Sequence, residues 1–266
     1  MLDVDFAHLS DPGKVRDNNE DYVGHYQPAT LEEGRSHGWL FVLADGVGGH
    51  DRGEVASKAA VESLLEAFPQ APAEEPLGTL LPRLVREANV HVYELAKKTG
   101  SGGSSMSTTI VACALRHDRA CVAHAGDSRC YLVRQGEARQ LTRDHTVAQD
   151  QASLGLISSS DAAAAATRHV LSRSLGRDLF LNVDVSEHQV QPDDVLVLCC
   201  DGLHGPVAPA DIASIASPGA NIENAARRLV NLANDRDGSD NISVQLIRIR
   251  SVERVGMYRG RPYQLR

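Results

Sequence analysis

The sequence predicts an α+β fold in which mainly antiparallel sheets pack together and helices lie outside them. Two observations support this prediction. Short strand-like segments are joined by hairpin turns, and the element order is strands, two long helices, strands, an insertion, strands, helices and a final strand. The hairpins argue against a doubly wound parallel sheet. The chain has 266 residues, of which 42% are hydrophobic, so we expect one large core and a single domain over residues 1–250.

The first part of the chain begins with strands and continues with helices. Residues 4–10 alternate as a strand does. Residues 39–44 form a continuous apolar run, which indicates a buried strand that stops at Asp45-Gly46. Apolar residues at helical spacing then predict two long helices, over residues 54–68 and 77–98.

The second part of the chain returns to strands. Runs of β-forming residues predict strands over residues 108–115, 120–125, 129–133, 183–190, 195–200 and 242–249. Helices are expected to begin near Pro209 and to cover residues 222–234. Residues 144–175 are predicted to be a helical insertion over the core. Residues 251–266 contain four arginines and little apolar periodicity, which is typical of a surface tail.

The composition excludes several classes of protein. The net charge is -8 and no basic stripe occurs, so we expect no nucleic-acid partner. No apolar run approaches the roughly 20 residues that span a bilayer. The first residues lack the pattern of a secretory signal, so we expect a cytoplasmic protein without a membrane partner. The five cysteines have no CxxC spacing, which argues against zinc and disulfides and favours small buried residues.

Four aspartates share one kind of position, next to a buried-type strand. They are Asp45, Asp127, Asp201 and Asp240. Carboxylates gathered at strand ends would repel one another unless a cation lay between them. Oxygen ligands suit Mg²⁺ or Mn²⁺ rather than zinc. One Asp-Gly pair alone is typical of an ordinary turn, so only the four together indicate a metal site.

A phosphate-binding candidate lies in the segment before Asp21. Arg16 follows a turn, and its guanidinium offers a two-pronged fit to phosphate oxygens. Glu20 and Asp21 could bind metal-coordinated water. Taken alone, Arg16 is more simply explained as a surface charge.

Seven segments, in this order, resemble the motifs of the metal-dependent protein phosphatases, the type 2C or PPM family, in its bacterial branch. They are residues 11–21 (DPGKVRDNNED), 43–50 (LADGVGGH), 106–109 (MSTT), 125–129 (AGDSR), 141–145 (LTRDH), 200–203 (CDGL) and 238–242 (GSDNI). The resemblance implies a sandwich of two mainly antiparallel sheets flanked by helices, in α-β-β-α layers. It also implies that residues 144–175 are a helical flap near the active site.

The resemblance assigns roles to individual residues. Asp45 would bridge two divalent cations, Mn²⁺ or Mg²⁺, with the Gly46 carbonyl on one of them. Asp201 and Asp240 would complete the shell of the first ion, while Glu20 and Asp21 would act through bound waters. A third ion is implied at Asp127. Arg16 would hold the substrate phosphate while a metal-activated water attacks phosphorus in line.

Two positions depart from the pattern of the family. Val47 stands where bacterial members often have methionine and eukaryotic members have a histidine that is a candidate general acid. His50 is the nearest substitute, although an ordinary loop histidine explains it equally well. Ser107 stands where glycine is usual, which affects only a local turn. In the flap, His145 and Asp150 could border the site, but a structural or solvent-exposed role is the simpler explanation.

The resemblance implies a protein serine/threonine phosphatase, and the sequence alone leaves two alternatives open. One is a catalytically silent member that binds phosphoproteins, although such members usually lose metal ligands. The other is a phosphatase for anti-sigma-factor antagonists, a branch that commonly carries sensory domains. Expected partners are phosphoserine and phosphothreonine proteins, including a bacterial serine/threonine kinase. We expect a monomer.

Overall fold

Two antiparallel sheets form the centre of the structure, a computed structural model that describes residues 1–47, 52–73, 75–98, 106–258 and 261–264. The strands in chain order are β1 (Asp3–Asp11), β2 (Asp21–Tyr26), β3 (Trp39–Val47), β4 (Ser107–Thr108), β5 (Ile110–Arg116), β6 (Arg119–Ala125), β7 (Arg129–Arg134), β8 (Glu137–Gln140), β9 (Asp184–Gln189), β10 (Val195–Cys199), β11 (Ile242–Ser251), β12 (Val255–Tyr258) and β13 (Arg261–Gln264). The helices are α1 (Leu31–Ser36), α2 (Gly53–Ala67), α3 (Leu77–Lys98), α4 (Val147–Ser153), α5 (Ser159–Ala164), α6 (Asp201–His204), α7 (Pro209–Ile215) and α8 (Ile222–Arg236).

The strand order brings both chain halves into each sheet. One sheet has the order β1-β11-β10-β7-β8, and the other has the order β2-β3-β5-β6-β9, with β4 paired to β3. Neighbouring strands in both sheets run antiparallel. The predicted α+β class with two mainly antiparallel sheets is therefore confirmed.

The two sheets pack face to face, and helices cover their outer faces. Strand β10 shows why, because its apolar residues alternate between two cores. Leu196 and Leu198 point to the core between the sheets, where they meet Phe41 of the other sheet. Val195 and Val197 belong to the core beneath α7 and α8. Burial of both strand faces explains the continuous apolar runs in the sequence.

The second outer layer consists of α2 and α3 over the other sheet. Leu40 and Val42 of β3 pack with Leu64 of α2 and Leu84 of α3. The layers are thus helix, sheet, sheet, helix. Among the described residues, no helix is long and apolar enough to cross a membrane.

Several expectations about individual elements need correction. Strand β3 does not stop at Asp45-Gly46, because Gly46 and Val47 continue it by pairing with β4. Strand β2 and helix α1 were not predicted, since β2 is only half-buried and α1 has no buried residue. Within residues 251–266, the predicted surface tail, the pairing of Val255–Tyr258 with Arg261–Gln264 as a two-stranded sheet was not predicted. The segment 144–175 contains α4, α5 and a 3-10 turn at Ala166–His169.

Candidate functional site

The site begins with two carboxylates that face each other across adjacent strands. Asp21 is the first residue of β2, and the strand register places it directly opposite Asp45 of β3. Asp21 is buried, and both of its carboxylate oxygens lack a hydrogen-bond partner among the described residues. Like charges in directly opposed positions destabilise a sheet. A bound cation would remove that repulsion.

The backbone of Asp45 is fixed by hydroxyl groups. Its N–H donates to Thr109 Oγ1 at 3.0 Å, and its carbonyl accepts from Thr109 N and Thr108 Oγ1, each at 2.8 Å. Thr109 Oγ1 in turn lies 2.7 Å from Ser128 Oγ. These contacts fix the backbone from which the Asp45 carboxylate extends.

Two further carboxylates come from the other sheet. Asp201 is the first residue of α6, immediately after β10, and Asp240 lies just before β11. The two turns touch, because a Cβ on Gly202 would lie 2.0 Å from the Asn241 carbonyl oxygen. Only glycine at position 202 allows this approach, so the packing of backbone on backbone brings Asp201 and Asp240 together.

The loop that carries Arg16 is fastened to the same place. Arg16 Nη2 donates to Asp240 Oδ2 at 2.9 Å. The Asn241 side chain donates to the carbonyls of Pro12 and Asn18, and it accepts from Glu20 N at 2.8 Å. One buried amide therefore positions both the arginine and the acidic residues that follow it.

Asp127 lies on the turn after β6 and is 7% exposed. Its carbonyl is 3.0 Å from His204 Nε2. The preceding residue, Gly126, has φ +114°, and a Cβ there would lie 2.6 Å from Thr109 Cβ. The turn is thus pressed against the threonine that holds Asp45.

Burial and mutual repulsion shift the acid strengths of these groups. Removal from water, with the charges of Asp201 and Asp240, raises the pKa of Asp21 to about 7. Removal from water, followed by the charge of Asp201, raises the pKa of Asp127 to about 7. The same two causes, burial first and then the charges of neighbouring aspartates, raise the pKa of Asp45 and of Asp201. Such a cluster holds all its charges only when cations neutralise it.

The donor set fits a hard divalent cation. Ligand atoms of Asp21, Asp45 and Cys200 lie within 4.8 Å of one another. The Cys200 thiol, however, donates to the Asn241 carbonyl at 3.3 Å and accepts from Ser243 N at 3.0 Å. The sulfur is therefore already occupied, and the carboxylate oxygens with orphaned lone pairs remain, which is the chemistry of a Mn²⁺ or Mg²⁺ site.

A cleft of about 960 Å³ opens over this cluster. The predicted site residues that line it are Arg16, Glu20, Asp45, Gly46, Asp127, Asp201 and Asp240. Arg168 and His169 reach it from the insertion at residues 144–175. Arginine side chains therefore line the same cleft as the carboxylates, a combination suited to a phosphate held beside metal ions.

The structure brings most of the predicted site residues to one place. Those that line the cleft are joined by Asp21, which lies beneath it opposite Asp45. His50 lies outside the described residues. Sequence reasoning missed the supporting roles of Asn241, Thr109 and His204. An unusual polar residue at the start of an apolar strand, such as Asn241 before β11, could have drawn attention to the first of these.

Comparison with known proteins gives a consistent result. The protein phosphatase 2C family matches residues 18–241. The serine/threonine phosphatase stp of Listeria innocua is 33% identical over 255 residues, which cover 95% of this chain and 96% of that protein. The protein phosphatase PhpP of Streptococcus pneumoniae is 30% identical over 246 residues, which cover 92% of this chain and 97% of that protein.

Solved structures agree with the sequence comparison. The serine/threonine phosphatase PstP/Ppp of Mycobacterium tuberculosis superimposes with a TM-score of 0.82 at 31% identity, covering 94% of this chain and 100% of that one. The catalytic domain of PstP in complex with two manganese ions gives a TM-score of 0.79 at 31% identity, with the same coverage.

Proposed function

Since the chain belongs to the protein phosphatase 2C family, we propose that the carboxylate cluster and Arg16 form the catalytic centre of a serine/threonine protein phosphatase. The chain is a hydrolase of this kind and depends on divalent cations, Mn²⁺ or Mg²⁺. In this proposal the residues of the cleft divide between holding the cations and binding the phosphate.

The lining of the cleft indicates which residues would hold the cations. Asp45 would hold the cations together with Asp201 and Asp240, which come from the side of the other sheet, and with the Gly46 carbonyl. Glu20 and Asp21 would accept hydrogen bonds from coordinated waters, and Asp127 would hold a third ion. When bound, the cations supply an activated water near neutral pH and offset charge on phosphoryl oxygens.

Arg16 is proposed to bind and orient the phosphate. Its guanidinium pairs with Asp240 through one nitrogen, and 45% of its side chain is exposed towards solvent. The remaining N–H groups are available to donate to two phosphate oxygens. Asp240 thus holds Arg16 at the edge of the proposed cation site. The phosphate would lie between Arg16 and the cations.

A proton must reach the serine or threonine oxygen that leaves phosphorus. His50 remains the proposed donor from the sequence. Within the described residues, His169 also lines the cleft and is the alternative candidate.

The substrates are phosphoserine and phosphothreonine proteins, and we propose that a bacterial serine/threonine kinase is among them. The similarity to stp and PhpP over nearly their full lengths supports a signalling phosphatase. We further propose that the protein acts as a monomer in the cytoplasm.

The observation that carries this proposal is the buried Asp21, which is opposed to Asp45 and whose two carboxylate oxygens have no hydrogen-bond partner within the described ranges. Hydrolysis of a phosphothreonine peptide by the purified protein should require Mn²⁺ or Mg²⁺ and stop in excess chelator. Loss of a group that supports a metal ligand typically lowers metal affinity or activity by about 10–100-fold. Asp45 and Asp201 are proposed as ligands themselves, so Asp45→Asn and Asp201→Asn should each lower turnover by more than about 100-fold.

The control is Asp3→Asn, which alters an exposed aspartate at the start of β1. It should leave turnover unchanged. Full activity in chelator would refute the metal mechanism. Tight binding of the phosphopeptide by wild type without turnover in Mn²⁺ would instead support the silent binding module.

A further inference from the structure

A second cluster of titratable side chains lies behind Asp127, outside the cleft. The His145 cluster consists of His124, His145, Arg173 and Asp184. The two imidazole rings stack with centroids 4.7 Å apart and an interplanar angle of 9°. His145 is fully buried, and its Nε2 lies 3.2 Å from Asp184 Oδ2. Arg173 Nη1 donates to Asp184 Oδ1 at 2.7 Å.

The hydrogen bonds of this cluster disfavour a metal ion, although its ligand atoms are close enough together for one. Gly126 N donates to His145 Nδ1 at 3.2 Å, and a backbone N–H can only donate. Nδ1 is therefore the acceptor, and the ring proton lies on Nε2, facing Asp184. Arg173 adds a positive charge at the same point. A cation would have to displace a proton and approach a guanidinium.

His145 instead makes two hydrogen bonds to Gly126, the residue before Asp127. Its ring accepts from Gly126 N, and its own backbone N–H donates to the Gly126 carbonyl at 3.0 Å. His204 contacts the Asp127 carbonyl. Two histidines therefore contact the backbone around Asp127: His145 bonds Gly126, and His204 contacts the Asp127 carbonyl. The direction of the Asp127 carboxylate depends on both contacts.

The same histidine holds both ends of the insertion at residues 144–175. Its carbonyl accepts from Ser172 N at 2.9 Å, and Thr146 forms a bridge with Leu171. Val147 N also donates to the Val170 carbonyl at 2.8 Å. The outgoing and returning stems of the insertion are thus joined at His145 and the two residues after it, and His145 is also the residue that contacts Gly126.

We propose that His145 is a positioning residue that orients Asp127 for its cation and couples that cation to the stems of the insertion. This inference rests on the proposed cation at Asp127. Its physical basis is one imidazole that bonds Gly126 on one side and Asp184 on the other. Coupling of this kind is reciprocal, so the cation should also tighten the stems.

Two substitutions separate the two bonds of the ring. His145→Gln places an amide near the Nε2 position and keeps a donor towards Asp184, but it loses the acceptor for Gly126. His145→Asn keeps an acceptor near the Nδ1 position and loses the contact with Asp184. The Mn²⁺ concentration that gives half-maximal turnover should rise about tenfold in His145→Gln. In His145→Asn it should stay within about twofold of wild type.

Calorimetric titration with Mn²⁺ gives a readout independent of turnover. The weakest class of bound ion should lose affinity in His145→Gln. In the Asp127→Ala background, His145→Gln should cause no further change, because the two substitutions act on one ion. His188→Gln is the control, since His188 is a half-buried histidine of β9 whose side chain hydrogen-bonds Ser186 Oγ and no member of the His145 cluster among the described residues.

Hydrogen exchange of the wild-type protein tests the reverse direction and does not depend on whether the His145 variants fold. Mn²⁺ should slow exchange of the Val147 and Ser172 amides in wild type but not in Asp127→Ala. The inference is overturned if these amides respond equally in both proteins. It is also overturned if His145→Gln changes the affinity for Mn²⁺ no more than His188→Gln does. A third contrary outcome is an effect of His145→Gln that persists in the Asp127→Ala background, because a metal bound at the His145 cluster itself would produce that result. A wild type that binds no Mn²⁺ would refute the proposed function instead.

Discussion

At the scale of single residues, the pairing of Asp21 with Asp45 opposes folding of the metal-free protein. Two carboxyl groups occupy opposed strand positions, and one of them is buried with no hydrogen-bond partner in the part of the chain that the structure describes. They oppose folding when both are charged. Local rules of sheet formation are violated where function requires it. The violation should therefore be visible in the pH dependence of stability.

Replacing Asp21 should stabilise the metal-free protein at high pH. The folded-state pKa of Asp21 is raised to about 7 from its ordinary 3.8, so its carboxyl favours folding at low pH, and this contribution is lost as pH rises through 7. In chelator, Asp21→Asn should unfold at a higher temperature than wild type at pH 8, and the difference should shrink at pH 5. Each kcal/mol corresponds to about 2–4 °C for a domain of this size.

Comparing wild type with Asp21→Asn cancels the contribution of the other titrating groups to the pH dependence of stability. Burial lowers the pKa of His145 and of His204 to about 4, and both histidines oppose folding as pH falls below their ordinary value. Their contribution is the same in wild type and variant. A melting-temperature difference that does not change between pH 5 and 8 would show that ionisation of Asp21 does not destabilise the folded protein.

Asp127 is predicted to matter less than Asp45. It lies on a turn beside the cluster and repels Asp201, but it is not in the opposed pair. Asp127→Ala should reduce turnover while leaving two Mn²⁺ ions bound. Calorimetric stoichiometry and turnover should be measured on the same preparation. Loss of all bound Mn²⁺ would instead place Asp127 within the shared two-ion cluster.

Residues of the candidate site could be predicted from sequence where a carboxylate adjoins a strand, as at Asp201 and Asp240, which both line the cleft. The supporting groups could not, because their role depends on contacts far apart in the chain. Asn241 bonds the loop of residues 12–20, more than 220 positions away. Thr109 holds Asp45 from 64 positions away. Neither distance leaves a local pattern.

At the scale of elements, the contact between β3 and the start of α2 fixes the site from below. A Cβ on Gly46 would lie 2.4 Å from the Gly53 carbonyl carbon and oxygen and 2.7 Å from the Glu20 carbonyl oxygen. Gly46 N also donates to that Glu20 carbonyl at 3.1 Å. Strand, helix and the loop before β2 therefore meet around a position that has no room for a side chain.

Gly46→Ala should accordingly separate these elements. Overpacking typically costs about 1–3 kcal/mol, so we expect a melting temperature lower by several degrees and a large loss of turnover. Gly219→Ala is the matched control, because a Cβ at position 219 meets nothing within 4 Å. Equal stability and activity of the two variants would contradict the described packing.

Elements with strong periodicity were predicted well, and elements defined by their partners were not. The helix over residues 77–98 was predicted with the bounds it has, since α3 carries an apolar stripe along its whole length. Strand β2 has only one buried residue and depends on pairing with β3. The extension of β3 beyond Asp45 likewise depends on β4, which two residues form.

At the scale of the whole molecule, the proposed cation site connects the two sheets. Asp21 and Asp45 belong to one sheet, whereas Asp201 and Asp240 flank strands of the other. Ligands that bind only the folded state stabilise it by mass action. Cations should therefore act as clamps between the layers of the sandwich.

The melting temperature should consequently rise with the concentration of free Mn²⁺. Above the dissociation constant, each tenfold increase should add about 1.4 kcal/mol per bound ion to the free energy of unfolding. Scanning calorimetry in chelator and in graded Mn²⁺ measures this slope. Asp201→Asn should flatten it. Identical unfolding in chelator and in saturating Mn²⁺ would mean that the cations do not join the sheets.

The burial of the five cysteines determines how their thiols react with oxidants. All are free and enclosed, and burial raises the pKa of Cys121 and of Cys199 to about 12. Thiolate is the reactive form, so neither peroxide nor alkylating reagents find a target in the intact sandwich. Each sulfur becomes reactive only when the layers part, and the rate of thiol labelling then records how often the whole domain opens.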